Sequence, residues 1–104
     1  MSSLTRFRRQ GRRRDLLVGE LLVRLERLQA ATAAHAEDVA RLRRQVETMP
    51  ASWLAAETVH ALLLADRLCW ESLSRGDMAA FSRQAPVCAD LRLFGLSARL
   101  ITDE

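Results

Sequence analysis

Four side chains of the kind that ligate metals or carry protons are scattered along the chain: His35, His60, Cys69 and Cys88. Together they hold enough donor atoms for a zinc ion, but the closely paired spacings that mark zinc sites are missing. Glu57 and His60 stand one helical turn apart and could share a proton; with no third group at a matching spacing, they read as a surface pair. There is no glycine-rich phosphate loop, no serine in a nucleophile elbow and no carboxylate pair placed by a motif. Catalysis needs a convergent set of polar groups, so no catalytic residue, metal ligand or cofactor is assigned and a non-enzymatic protein is expected.

The other chemistry in the chain is cationic. "RFRRQGRRRD", residues 6 to 15, sets Arg6, Arg8, Arg9, Arg12, Arg13 and Arg14 within ten positions. The net charge of +3 is divided unevenly: residues 1 to 14 hold six Arg and no acid, and the remaining ten Arg face thirteen Asp and Glu. The chain thus reads as a basic arm, 1–14, on a mildly acidic body, 15–104. Six cations beside so few apolar groups repel one another, so the arm is expected to order on a polyanion or an acidic partner. A basic run leading into a zipper is the layout of basic-zipper factors, but the base-reading Asn is absent and no aromatic platform for single strands is evident. Contact with backbone phosphates is what these residues permit, beside contact with an anionic membrane, docking to protein or plain solvation.

What must position these groups is helical. Hydrophobic residues make up 49% of 104, with four Gly and two Pro, which bounds the chain to one modest all-α domain. Asp15 can cap a helix whose interior runs from Leu16 to Met49, about 50 Å at 1.5 Å per residue. Along it, Val18, Leu21, Leu25, Leu28, Thr32, His35, Val39, Leu42, Val46 and Met49 alternate three and four apart. The a positions are mostly β-branched and the d positions mostly Leu, which favours a parallel two-stranded coiled coil. Leu17 and Leu22 widen the stripe, and the alanines between 30 and 36 slim the middle, so the alternative is a seam packed inside one chain. A homodimer through this helix is the preferred reading.

Pro50 should interrupt the chain and reverse it, and Trp53 to Ser74, apolar almost all round, should form a central, well-covered helix. Gly76 suits a left-handed cap and Asp77 the next N-cap. Met78–Ala85 and Val87–Phe94 read as two short helices divided by Pro86, with Gly95 as a cap and the tail as a turn or short strand. The N-terminal third of the first helix is left uncovered by its successor, to be covered by a second copy or by these C-terminal helices. Cys69 and Cys88 sit in apolar helical patterns as reduced, buried thiols.

Two local stretches, "LLLADRL" at Leu62–Leu68 and "LFGL" at Leu93–Leu96, together with a long zipper-like helix leading into short bundle helices, resemble GrpE, the nucleotide exchange factor of DnaK-type chaperones. The resemblance implies paired long helices entering a dimeric four-helix bundle, with a DnaK-type chaperone as partner. Cys69 and Trp70 depart from it, standing where that family has a polar pair, and the arm is basic where the family's N-terminus is acidic.

The expectation is therefore an all-α helical bundle with a coiled-coil-like first helix, acting as an interaction or adaptor protein. The competing class is a nucleic-acid binder that uses the arm. No apolar run approaches the roughly 18–20 residues that span a bilayer, and the arm lacks the apolar core of a secretory signal, so a cytoplasmic location is expected. Lys, Asn and Tyr, whose codons are AT-rich, are all absent, which points to a GC-rich, bacterial gene.

Overall fold

A computed structural model of the chain describes residues 2–102, with side chains from residue 12 onward. Four helices follow one another: α1 (Ser2–Ala31), α2 (Ala36–Thr48), α3 (Leu54–Ser74) and α4 (Met78–Ser97). Single 3₁₀ turns at Ala33–His35 and Ala51–Trp53 join the first three. The all-α bundle expected from sequence is what forms, and no strand occurs among the described residues.

The helix expected over 15–49 is two helices. Arg43 lies 3.7 Å from Glu26, whereas seventeen residues of straight helix would part them by about 25 Å. The break falls at Thr32, whose hydroxyl donates to the Leu28 carbonyl at 2.7 Å while its backbone leaves the helical region (φ −129°, ψ 65°). Local propensity does not explain it, because alanine favours helix. Packing does: folding back buries Val39 and Val46 against Leu21, Leu25 and Leu28. Each buried Val contributes about 1.5–3 kcal/mol, against about 1 kcal/mol for each helical hydrogen bond given up at the turn. The apolar repeat is thus satisfied within one chain. Leu21, Leu25, Leu28, Thr32, Val39 and Val46 are each 2% exposed or less, leaving no exposed seam there for the expected parallel dimer.

The chain then alternates direction. Gln45 donates to Glu57 at 3.1 Å and His35 lies 3.1 Å from Glu71, so α3 runs back along α2. Ser72 donates to Gln84 and Cys88 to Asp66, both at 2.7 Å, so α4 runs back along α3. Arg24 meets Asp90 at 3.1 Å, which closes the ring between α4 and α1. This is an up-down-up-down bundle with short connections. The expected reversal at Pro50 is present, and α4 supplies the cover for the start of the α1 stripe.

Three local expectations change. The helix does not start at Asp15: α1 begins at Ser2, crosses the arm–body boundary without interruption and leaves Asp15 exposed in mid-helix. Pro86 does not divide α4: it sits exposed within the helix, on a side where the hydrogen bond its missing N–H costs leaves no group buried. Gly95 is not the cap but a buried helical residue. Ala98 ends α4, and the Arg99 and Leu100 amides close back on the Leu96 and Gly95 carbonyls at 3.1 and 2.8 Å. The end of α3 follows the sequence: Gly76 takes φ 72° and Asp77 caps α4 through the Ala80 amide at 3.1 Å.

A Cβ on Gly95 would lie 2.9 Å from Cδ1 and Cγ1 of Ile101, the residue that pins the tail to the core. Gly95→Ala should therefore destabilise by about 1–2 kcal/mol despite alanine's better helix propensity. In an Ile101→Ala background the same change should stabilise, and denaturant unfolding of the four proteins checks the reversal of sign.

Candidate functional site

Helix parity sets which ends meet. In an up-down bundle of four, the start of the first helix and the end of the last share one end, here called the base, together with the α2–α3 turn. Arg12, Arg13 and Arg14 enter the base on α1, all exposed. The side chains of Arg6, Arg8 and Arg9 lie outside the described residues, on the helical turns that precede it. Opposite them, Arg99 occupies the left-handed position after α4, at φ 59°. Arg13 Nη2 donates to the Ala98 carbonyl at 3.5 Å, so the two helix ends touch.

Arg13, Arg14 and Arg99 line an open cavity of about 350 Å³, whose other walls are Leu17, Leu54, Leu100 and the Ala51–Ser52 turn. No carboxylate lines it. On the flanks, by contrast, Arg24 and Arg27 meet Asp90, Arg41 meets Asp38, Arg43 meets Glu26 and Glu47, Arg44 meets Glu37, Arg67 meets Glu71 and Arg92 meets Asp66. Among the described residues Arg12, Arg13, Arg14 and Arg99 have no such partner, nor do the separate Arg75 and Arg83, and Asp103 and Glu104 lie outside that set. Arg99 could not be added to the arm from sequence, since 85 residues separate it from Arg14 and only the parity of the helices joins them.

The seam residues lie together, but inside. Val18, Leu42 and Met49 are half-buried against the core formed by the others. His35, the one ionisable group on the seam, does not face a copy of itself: its Nε2 lies 3.1 Å from Glu71 and its Nδ1 3.6 Å from Asp38. The Glu57–His60 pair forms at 3.4 Å as its spacing implies. Glu57 is the buried member and also accepts from Gln45, while His60 faces solvent. His60 lines the groove between α2 and α3, but eleven residues of α3 separate it from the Glu71 that holds His35, about 16 Å. They do not converge on one point.

Cys69 and Cys88 are free thiols facing each other across α3 and α4. Burial, then the charge of Asp66, pushes the Cys69 thiol up. Cys88 is pushed up to about 12 by burial and by its hydrogen bond to Asp66, whose second oxygen meets Arg92 at 3.2 Å. Thiols held protonated are poor nucleophiles. Among the described residues, no three His, Cys, Asp or Glu side chains stand together as a metal site.

One expectation about α3 fails. A ring of four helices leaves each with an outward face, so α3 is not covered all round: Val59, Leu63, Trp70 and Leu73 are exposed, Trp70 at 67%. Trp70 and Leu73 border an apolar groove of about 390 Å³ with Phe81, Ala85 and Ala89 of α4.

Compared with protein-family models, curated proteins and solved structures, the chain matches none.

With neither Lys nor Tyr present, the two thiols are the side chains that govern the alkaline limb of stability. Cys88 holds its proton more tightly folded (about 12) than at the ordinary 9.0. Its contribution to stability is therefore complete below pH 9 and is lost as pH rises through 12; Cys69 acts in the same direction. Unfolding free energy should fall across that window, and Cys88→Ala should flatten most of the fall. Parallel pH profiles for parent and variant would contradict the assignment.

Proposed function

We propose that the protein is a non-enzymatic polyanion-binding bundle that holds the phosphate backbone of duplex nucleic acid with its base end. The observation that carries this reading is the distribution of ion pairs. Most flank arginines are neutralised by carboxylates, and of the described arginines without such a partner Arg75 and Arg83 stand singly, while Arg12, Arg13, Arg14 and Arg99 gather at one end. Arginine's planar fork matches phosphate oxygens, and a helix carrying the basic run presents it without the full ordering entropy of a disordered arm. Such contacts read charge and backbone, not sequence. Among the described residues no helix is long and apolar enough to cross a membrane, and the reading places the protein in the cytoplasm of a bacterial cell.

The outward face of α3 favours a second reading, the adaptor. Val59, Leu63, Trp70 and Leu73 recur at zipper-like spacing on an exposed helix, and an aromatic of this size bordering an apolar groove is the kind of residue that anchors interfaces. A homodimer, or a protein partner such as a DnaK-type chaperone, would dock here rather than on the α1–α2 stripe. The GrpE-like version rests on "LLLADRL" and "LFGL" alone, and Leu62, Leu68, Phe94 and Gly95 in those stretches are buried, so packing accounts for them.

Binding to a mixed-sequence 20-base-pair duplex tests the first reading. At least six phosphate contacts predict a loss of about 10³ in affinity between 50 and 200 mM salt, and Arg6, Arg8 and Arg9 changed together to Gln should reduce the slope of log K against log salt by about 3. Absence of binding at 50 mM salt, or preference for anionic vesicles over duplex, overturns it. For the second reading, Leu63→Ser with Trp70→Ser should change stability by no more than about 0.5 kcal/mol each, both being exposed. The same pair should abolish any concentration-dependent mass in sedimentation. A parent that sediments as a monomer at all concentrations removes the homodimer.

A further inference from the structure

We infer that the cavity at the base is a seat for one phosphate group, gripped by Arg13, Arg14 and Arg99. The inference rests on the polyanion reading for what carries the phosphate, and adds which atoms hold it.

Three guanidinium groups lining a cavity of about 350 Å³, partly walled by Leu17, Leu54 and Leu100 and with no carboxylate among its walls, repel one another. The apolar walls lower the local dielectric and strengthen that repulsion, so an anion placed among them gains from all three. Arg13 is already oriented, since one of its five N–H groups is engaged by the Ala98 carbonyl and the rest are free to turn to a ligand. The Ser52 hydroxyl lines the same space. The volume takes a phosphate group together with several waters, each of which needs about 30 Å³.

The backbone at Arg99 fixes where its side chain leaves the base. Both α3 and α4 end in the same six-residue closure: the Asp77 amide bonds the Ser72 carbonyl at 2.9 Å, and the Leu100 amide bonds the Gly95 carbonyl at 2.8 Å. At α3 the left-handed position is filled by Gly76, the residue that fits it without strain; at α4 it is filled by Arg99, whose Cβ is strained there. The closing hydrogen bonds and the packing of Leu100 and Ile101 on the core offset that strain, and among the described residues the Arg99 side chain makes no hydrogen bond or ion pair within the protein, which leaves its guanidinium free for a ligand.

The test uses the full ¹⁵N-labelled chain and follows arginine Nε–Hε resonances as inorganic phosphate replaces chloride at constant ionic strength. Saturable shifts are expected at Arg13, Arg14 and Arg99 above those of Arg75 and Arg83. Arg99→Gly should lose these shifts while raising the thermal midpoint by several degrees, a pairing that a merely structural role for Arg99 would not give. On the 20-base-pair duplex the same variant should bind about five- to tenfold more weakly, with a salt slope smaller by about one. The triple change at Arg6, Arg8 and Arg9 should weaken duplex binding and leave the phosphate titration intact. Equal small shifts at every exposed arginine, or phosphate binding by Arg99→Gly equal to the parent, overturns the seat. Phosphate binding without duplex binding keeps the seat and overturns the polyanion reading; duplex binding with an unchanged Arg99→Gly slope does the reverse.

Discussion

An apolar stripe on a helix must be buried against another stripe, and the one running from Val18 to Met49 is the constraint on which the rest of this structure depends. Kept straight, it would need a second chain along its whole length. Folded at Thr32–His35, its two halves cover each other, and the remainder of the chain has only to complete a ring. The Thr32 hydroxyl, which bonds back to Leu28 at 2.7 Å, and the slim alanines beside it allow the turn; the burial of Val39 and Val46 drives it. From that single reversal follow four antiparallel helices, and from four follows the meeting of the α1 start with the α4 end.

The polar groups divide along the same line. Those at and above the middle of the bundle are structural: His35 ties the first turn to Asp38 and Glu71, Ser72 and Gln84 satisfy each other between α3 and α4, and Gln84 reaches the Ala31 carbonyl at 3.4 Å. Buried groups that complete each other in this way fix how the helices dock and leave little free for a ligand. Arg24, stacked 4.6 Å above the Phe94 ring and paired with Asp90, performs the same service between α1 and α4. The acids of the body are thereby committed to the flanks. The base receives basic residues from two distant parts of the chain and none of those flank acids.

The helical class, the reversal at Pro50, the Gly76–Asp77 punctuation and the core positions of α1 were legible because each is a local signal: a 3–4 repeat, a missing donor, a left-handed glycine, a capping carboxylate. The break at Thr32 was not, since the same a and d positions point inward whether the partner is a second chain or the second half of the first. Periodicity records which side is buried, not what buries it. Pro86 and Gly95 misled for a related reason, because each has a strong local habit that its surroundings override. Pro86 is exposed, so the hydrogen bond it forfeits is not lost in the core, and Gly95 is kept small by Ile101 rather than by a turn. On α3, composition alone suggested a covered helix, whereas Trp70 and Leu63 face outward on the side that four-helix geometry leaves open.

The candidate site was half legible. Arg12, Arg13 and Arg14 stand out as a run, but a run of charge in sequence says nothing about whether its neighbours in space neutralise it. The body of the chain carries an excess of acid, and had those acids lain at the base the arm would be one more set of surface pairs, each worth little. Their placement beside Arg24, Arg43, Arg67 and Arg92 instead leaves the base with an excess of positive charge, Asp15 being the acid that follows the run on α1. A net charge of only +3 thus conceals a strongly polarised molecule. The polarity is a product of helix parity: moving the Thr32 turn changes which acids meet which arginines, and adding or removing one helix would carry Arg99 to the opposite end, away from Arg13.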